Sequence, residues 1–117
     1  MEFKNSLVVA SAFATLLSTN AFANASRCAG SGVNGWNTSI VNHFSGSFIE
    51  KSGRNWVENN SDGRHTYQET YRDQWSVYLR RTDGYYDLQL DLWQCAINFK
   101  RPFESSYRPL YQVKSAY

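Results

Sequence analysis

The stretch from Arg72 to Lys100, RDQWSVYLRRTDGYYDLQLDLWQCAINFK, keeps its apolar residues at alternate positions through two turns. A helix repeats every 3.6 residues and a strand every two, so this spacing predicts strands and assigns a face to each side chain. With Asp83-Gly84 at the centre of a tight turn, Leu79 faces Leu88, Val77 faces Leu90 and Trp75 faces Leu92. On the other face Arg80 meets Asp87, Tyr78 meets Gln89 and Ser76 meets Asp91. A slip of one residue inverts every one of these positions, which fixes the register. An equally tight turn at Trp93-Gln94 pairs Leu90 with Ile97 and Leu88 with Phe99. It also sets Asp87 between Arg80 and Lys100, and Gln89 beside Asn98.

The flanking sequence is built from shorter runs of the same kind. Phe44 and Phe48 share a face of a strand around 43–50, which KSGRN (51–55) turns. Trp56-Val57-Glu58 reads as a short strand closed by NNSDG (59–63), a cluster rich in turn formers. Arg64 to Tyr71 alternates again and places Tyr67, Glu69 and Tyr71 on one side. Pro102 and Pro109 are expected to break pairing, and Leu110 to Val113 to add a short last strand. The predicted fold is therefore all-β: a single antiparallel meander of about six to eight strands, closed into a barrel or a tight sandwich. It spans 44–117 and follows an irregular segment, 24–43, rich in Gly, Ser and Asn with Trp36 as its large anchor.

Residues 1–23 read as a cleaved signal peptide. Lys4 gives a basic start, LVVASAFATLL forms an apolar core too short to span a bilayer, and Ala21-Phe22-Ala23 supplies the small-x-small cleavage pattern. Asn24, rather than a cysteine, follows the cleavage point, so no lipid anchor is expected there. The expected product is exported to the periplasm or the medium, without a membrane span. Cys28 and Cys95 then enter an oxidising compartment and are expected to form a disulfide. The processed chain carries eleven basic and nine acidic residues, scattered along its length, which gives no argument for nucleic acid as a partner.

Few residues suggest chemistry. His43 and His65, the only histidines, are not at ligand spacing and are expected at the surface. No metal motif, phosphate-binding glycine loop or nucleophile elbow is present, so no cofactor, metal or catalytic residue is expected. Glu58 and Glu69 share faces with Trp56 and with Tyr67, and point inward if those aromatics do. Two readings follow for them. One is a Glu–Arg clamp, with Arg72 or Arg64, closing one end of the sheet. The other is a pocket in which both carboxylates accept hydrogen bonds from ligand hydroxyls. Acid–base hydrolysis of a glycoside by that pair needs a cleft larger than a domain of this size offers. The row Arg80, Asp87, Lys100 reads as a solvated face of paired charges. The same face offers a second reading as a polar platform, with Tyr78 set to stack between Gln89 and Asn98. All four Trp and all eight Tyr lie beyond residue 23, and Tyr85, Tyr86, Trp93, Tyr107 and Tyr111 are candidates for exposure.

The pieces Trp56-Val57-Glu58, Glu69, Arg72-Asp73, Trp75 to Leu79, Leu90 to Leu92 and Leu110-Tyr111 resemble a pattern in a loosely defined group of small all-β proteins. That pattern runs W-x-E, then E-x-x-R-D-x-W-S-V-Y-L, then L-D-L, and covers most of 56–115. The group has no established activity. The resemblance implies one compact domain in which Glu58, Glu69, Arg72, Asp73 and Trp75 belong together. The sequence thus leads to an exported, non-catalytic binding protein. Its expected partner is a carbohydrate or envelope component, held by exposed aromatics and the polar sheet face; the alternative partner is a secreted hydrolase or toxin that it inhibits.

Overall fold

A computed structural model describes residues 26–117; the expected leader, 1–23, lies outside the described residues. Eight strands follow one another: β1 (Ile40–His43), β2 (Gly46–Glu50), β3 (Asn55–Asn60), β4 (Gly63–Arg72), β5 (Ser76–Arg81), β6 (Asp87–Asp91), β7 (Ala96–Lys100) and β8 (Arg108–Ala116). Each pairs antiparallel with the next, and β8 returns to β1, so the sheet is a closed barrel and not a sandwich. Closure runs through Val41↔Ala116, Asn42↔Ser115 and His43↔Val113. It leaves no strand edge unpaired. No helix among the described residues is long and apolar enough to cross a membrane.

The alternating pattern becomes an inside and an outside. Val41, Phe48, Trp56, Tyr67, Val77, Leu79, Leu88, Leu90, Ile97 and Val113 are buried in one cluster. Eight strands make a bore that side chains can just fill, or leave room for one small ligand. Here they fill the middle and one end, the base. The hairpin registers agree with the sequence expectation at every pair: Val77↔Leu90 and Arg80↔Asp87 between β5 and β6, Leu90↔Ile97 and Asp87↔Lys100 between β6 and β7. The β5–β6 connection is wider than a two-residue turn, since the last bond joins Arg81 N–H to the Tyr86 carbonyl at 2.9 Å. Gly84 takes the left-handed conformation (φ 82°) at its tip. The added residues fall symmetrically about Asp83-Gly84, so the register is unchanged.

Three expectations are corrected. First, the barrel begins at Ile40, inside the segment expected to be irregular, and Phe44 sits on the β1–β2 turn, 69% exposed, instead of sharing a strand with Phe48. That turn is tight, with His43 paired to Gly46, and Gly46 packs against the Asn59 backbone, where any side chain would collide with the carbonyl. Second, Tyr71 does not share a face with Tyr67 and Glu69. A register shift between Glu69 and Tyr71 inserts Thr70 as an extra residue opposite β5. The bulge reverses the alternation, turning Tyr71 out (61% exposed) and Arg72 in. Third, Pro109 does not end pairing. It lies within β8 opposite Asn98, where a register shift between Ile97 and Asn98 accommodates it.

The segment before β1 closes the base. The Cys28–Cys95 disulfide joins it to the β6–β7 turn, with the two Cα atoms 6.0 Å apart. Ser26 Oγ donates to the Leu92 carbonyl (2.6 Å), Gly30 N–H to the Ala116 carbonyl (2.9 Å), and Thr38 Oγ1 to the Tyr117 carbonyl (2.9 Å). The opposite end, carrying the β1–β2, β3–β4, β5–β6 and β7–β8 connections, is the mouth.

Candidate functional site

Strand β3 carries Trp56, Glu58 and Asn60 along its inner face, from base to mouth. Trp56 is fully buried, and the two glutamates lie on either side of it. At the base, Trp56 Nε1 donates to Glu69 Oε1 at 3.1 Å, and Arg72 Nη2 lies 3.0 Å from the same oxygen. Arg72 also reaches Glu50 (3.3 Å) and donates to the carbonyls of Gly35, Trp36 and Thr38 at 3.0–3.1 Å. One guanidinium thus joins β2, β4 and the N-terminal segment. This is the Glu–Arg clamp, with Arg72 as its buried cation and the exposed Arg54 3.7 Å from the other Glu69 oxygen.

Glu58 faces the other way. It is 3% exposed, and it lines a cavity of about 340 Å³ open at the mouth together with Asn60, Asp62, His65, Tyr67, Arg81, Tyr86, Leu88, Phe99, Leu110 and Tyr111. Glu69 is not among the lining residues, so the two carboxylates do not face one substrate. His43 Nε2 lies 3.1 Å from Glu58 Oε2, and the Tyr67 hydroxyl donates to Oε1 at 3.3 Å. The His43 ring stacks on Tyr111, with centroids 3.8 Å apart and planes 7° apart. Burial raises the Glu58 pKa, but hydrogen bonds from His43, Asn60 and Tyr111 outweigh it and hold the carboxyl below its ordinary range. Burial and, after it, the Glu58 charge push the Tyr67 phenol up.

The cavity wall is aromatic with one cation. Arg81 lies over the Tyr86 ring at 4.5 Å, while its Nη2 sits 2.7 Å from Asp83 Oδ2. Tyr86 meets Phe99 edge to face at 6.0 Å. Such a wall presents flat apolar surface between a few fixed polar groups, the usual composition of a small-ligand site.

The remaining candidates lie elsewhere. Tyr78, Gln89 and Asn98 form a ladder on the outer face, closed among themselves. Asn98 Nδ2 donates to Gln89 Oε1 (3.1 Å), Gln89 Nε2 to the Tyr78 hydroxyl and to Ser76 Oγ (both 3.3 Å), and Tyr78 to Asp73 (3.0 Å). Asp87 takes two bonds from Arg80 (2.7 and 3.0 Å) and one from Lys100 (3.3 Å). Tyr85 stands exposed at the β5–β6 turn, beside Tyr86 in the cavity. One histidine departs from expectation: His43 is buried, whereas His65 lies partly exposed at the mouth, beside the β3–β4 turn. Placing β1 at Ile40–His43 would have put His43 on the same face as Val41 and so inside. Arg81, Phe99 and Tyr111 lacked any signal as a group, because three separate strands bring them together. Among the described residues no group of three or more His, Cys, Asp or Glu is arranged to hold a metal ion. Comparison with protein-family models, with curated proteins and with solved structures gives no match to this chain.

Proposed function

We propose that this chain is an exported binding protein whose barrel mouth holds one unit of a carbohydrate, free or at the end of an envelope polysaccharide. The observation that carries the reading is the open cavity of about 340 Å³ with Glu58 at its floor and Tyr86, Phe99 and Tyr111 on its wall. That volume falls at the small end of ligand pockets, roughly 300–1,000 Å³. Sugars offer C–H faces that stack on aromatic rings, and hydroxyls that donate to carboxylates and accept from amides such as Asn60. The disulfide supports an oxidising compartment. The outer ladder of Tyr78, Gln89 and Asn98 bonds within itself, which favours the mouth over the sheet face as the site.

A glycan array followed by calorimetry on the processed chain tests this. Binding of a defined saccharide that Tyr86→Ala abolishes supports the reading; saccharide binding indifferent to Tyr86→Ala places the site elsewhere. The rival reading, an inhibitor of a secreted hydrolase or toxin, draws on Tyr85 and Phe103, 63% and 84% exposed on neighbouring connections at the mouth. It predicts capture of a single protein partner, lost on Phe103→Ser with saccharide binding untouched.

A further inference from the structure

We propose that the mouth selects a positively charged ligand, an amine-bearing sugar being the form that also satisfies the carbohydrate reading on which this inference rests. The argument turns on what surrounds Glu58. Its carboxylate is hydrogen-bonded, yet its charge is not cancelled by the groups that bond it. Ser45 N–H donates to His43 Nδ1 at 3.2 Å, so that nitrogen must carry a lone pair. The ring proton then sits on Nε2 and points to Glu58 Oε2, and the imidazole is neutral. Tyr67 and Tyr111 are neutral phenols and Asn60 a neutral amide, so none of the groups that bond Glu58 brings a charge.

Arg81 is the cation on the wall, and it is engaged away from Glu58. Its Nε lies 2.9 and 2.8 Å from the two Asp83 carboxylate oxygens, outside the cavity lining. Asp62 adds a second carboxylate to the lining. The cavity therefore presents a buried negative charge beneath aromatic faces, the arrangement that attracts ammonium groups: ring quadrupoles and a carboxylate act together where water is scarce. A neutral sugar would find hydrogen-bond partners here but would leave the Glu58 charge uncompensated.

Calorimetry with four probes separates the possibilities: glucosamine, N-acetylglucosamine, glucose and choline, each titrated into the processed, disulfide-bonded chain. The expected result is glucosamine binding tighter than N-acetylglucosamine and glucose by about tenfold. That preference should shrink with added salt and vanish in Glu58→Gln. Should Glu58→Gln fail to fold, Asp62→Asn at the exposed rim replaces it and should narrow the preference. Equal binding of the three sugars overturns the charge selection and leaves the carbohydrate reading standing. Choline bound with no sugar bound upholds the charge selection and removes the carbohydrate reading. No binding of any probe overturns both.

Discussion

Arg72 Nη2 lies 3.0 Å from Glu69 Oε1 although the two side chains belong to positions of opposite parity on one strand. Only the Thr70 bulge makes that contact possible. Glu69→Ala leaves the Arg72 charge and the Trp56 indole N–H without their shared acceptor, and is expected to destabilise by about 3 kcal/mol, the scale for removing one partner of a buried pair. Glu69→Gln keeps an acceptor for Trp56 and should cost less. Thermal melts of the two variants against the parent give the order. An alanine variant that melts like the parent contradicts the clamp.

Deleting Thr70 tests the bulge itself. Without the extra residue, Tyr71 would take an inward position and Arg72 an outward one, since a shift of one residue exchanges the faces. The deletion should cost at least as much as losing the ion pair, about 3–5 kcal/mol. A melting temperature within error of the parent would show that the β4–β5 pairing does not depend on the bulge.

Two carboxyls should make stability acid-sensitive. Asp87 is held below its ordinary range by hydrogen bonds from Arg80, with burial opposing and Lys100 assisting; Glu58 is held low against burial by His43, Asn60 and Tyr111. A carboxyl whose folded pKa is depressed stabilises the fold above its unfolded pKa, and that contribution is lost as pH falls through the folded value. Asp87→Asn and Glu58→Gln should therefore lie below the parent in melting temperature at neutral pH and converge on it in acid. A gap that stays constant down to low pH rules out ionisation as its source.

The disulfide spans a sequence separation of 67. Mass spectrometry of the unreduced processed chain should find it two hydrogens lighter than the dithiol. Reduction should lower stability by about 4 kcal/mol on the chain-entropy model. Two thiols open to alkylation without reductant would contradict the bridge.

The β5–β6 register was legible because three properties agree there: strict alternation, a turn dipeptide that permits positive φ, and opposite charges that meet only in one register. The β6–β7 register rested on alternation and the Asp87–Lys100 pairing, since Trp93-Gln94 is not a favoured turn pair. The Glu69–Arg72 pair was legible for a different reason, that a carboxylate beside core aromatics needs a cation nearby. Tyr71 was misplaced because a bulge adds a residue without a distinctive side chain; Thr70 looks like any outward strand residue. Strand β1 was missed because IVNH is four residues long, follows a Gly- and Asn-rich segment, and finds its second partner at the far end of the chain. His43 was lost with it, and so the pocket was read as Glu58 with Glu69 instead of Glu58 with His43. A cavity assembled from β3, β4, β5, β6, β7 and β8 has no local signature; its members meet only once the barrel closes.

Both ends of the described chain, Ser26 and Tyr117, lie at the base, bonded to Leu92 and to Ile40. Anything attached at either terminus consequently hangs from the side away from Glu58. A reporter fused there, a bead or a cell-surface tether would leave the cavity facing outward and unobstructed. The same geometry suits circular permutation: a short linker can join the two ends across the base, and new termini can be opened in the β7–β8 connection.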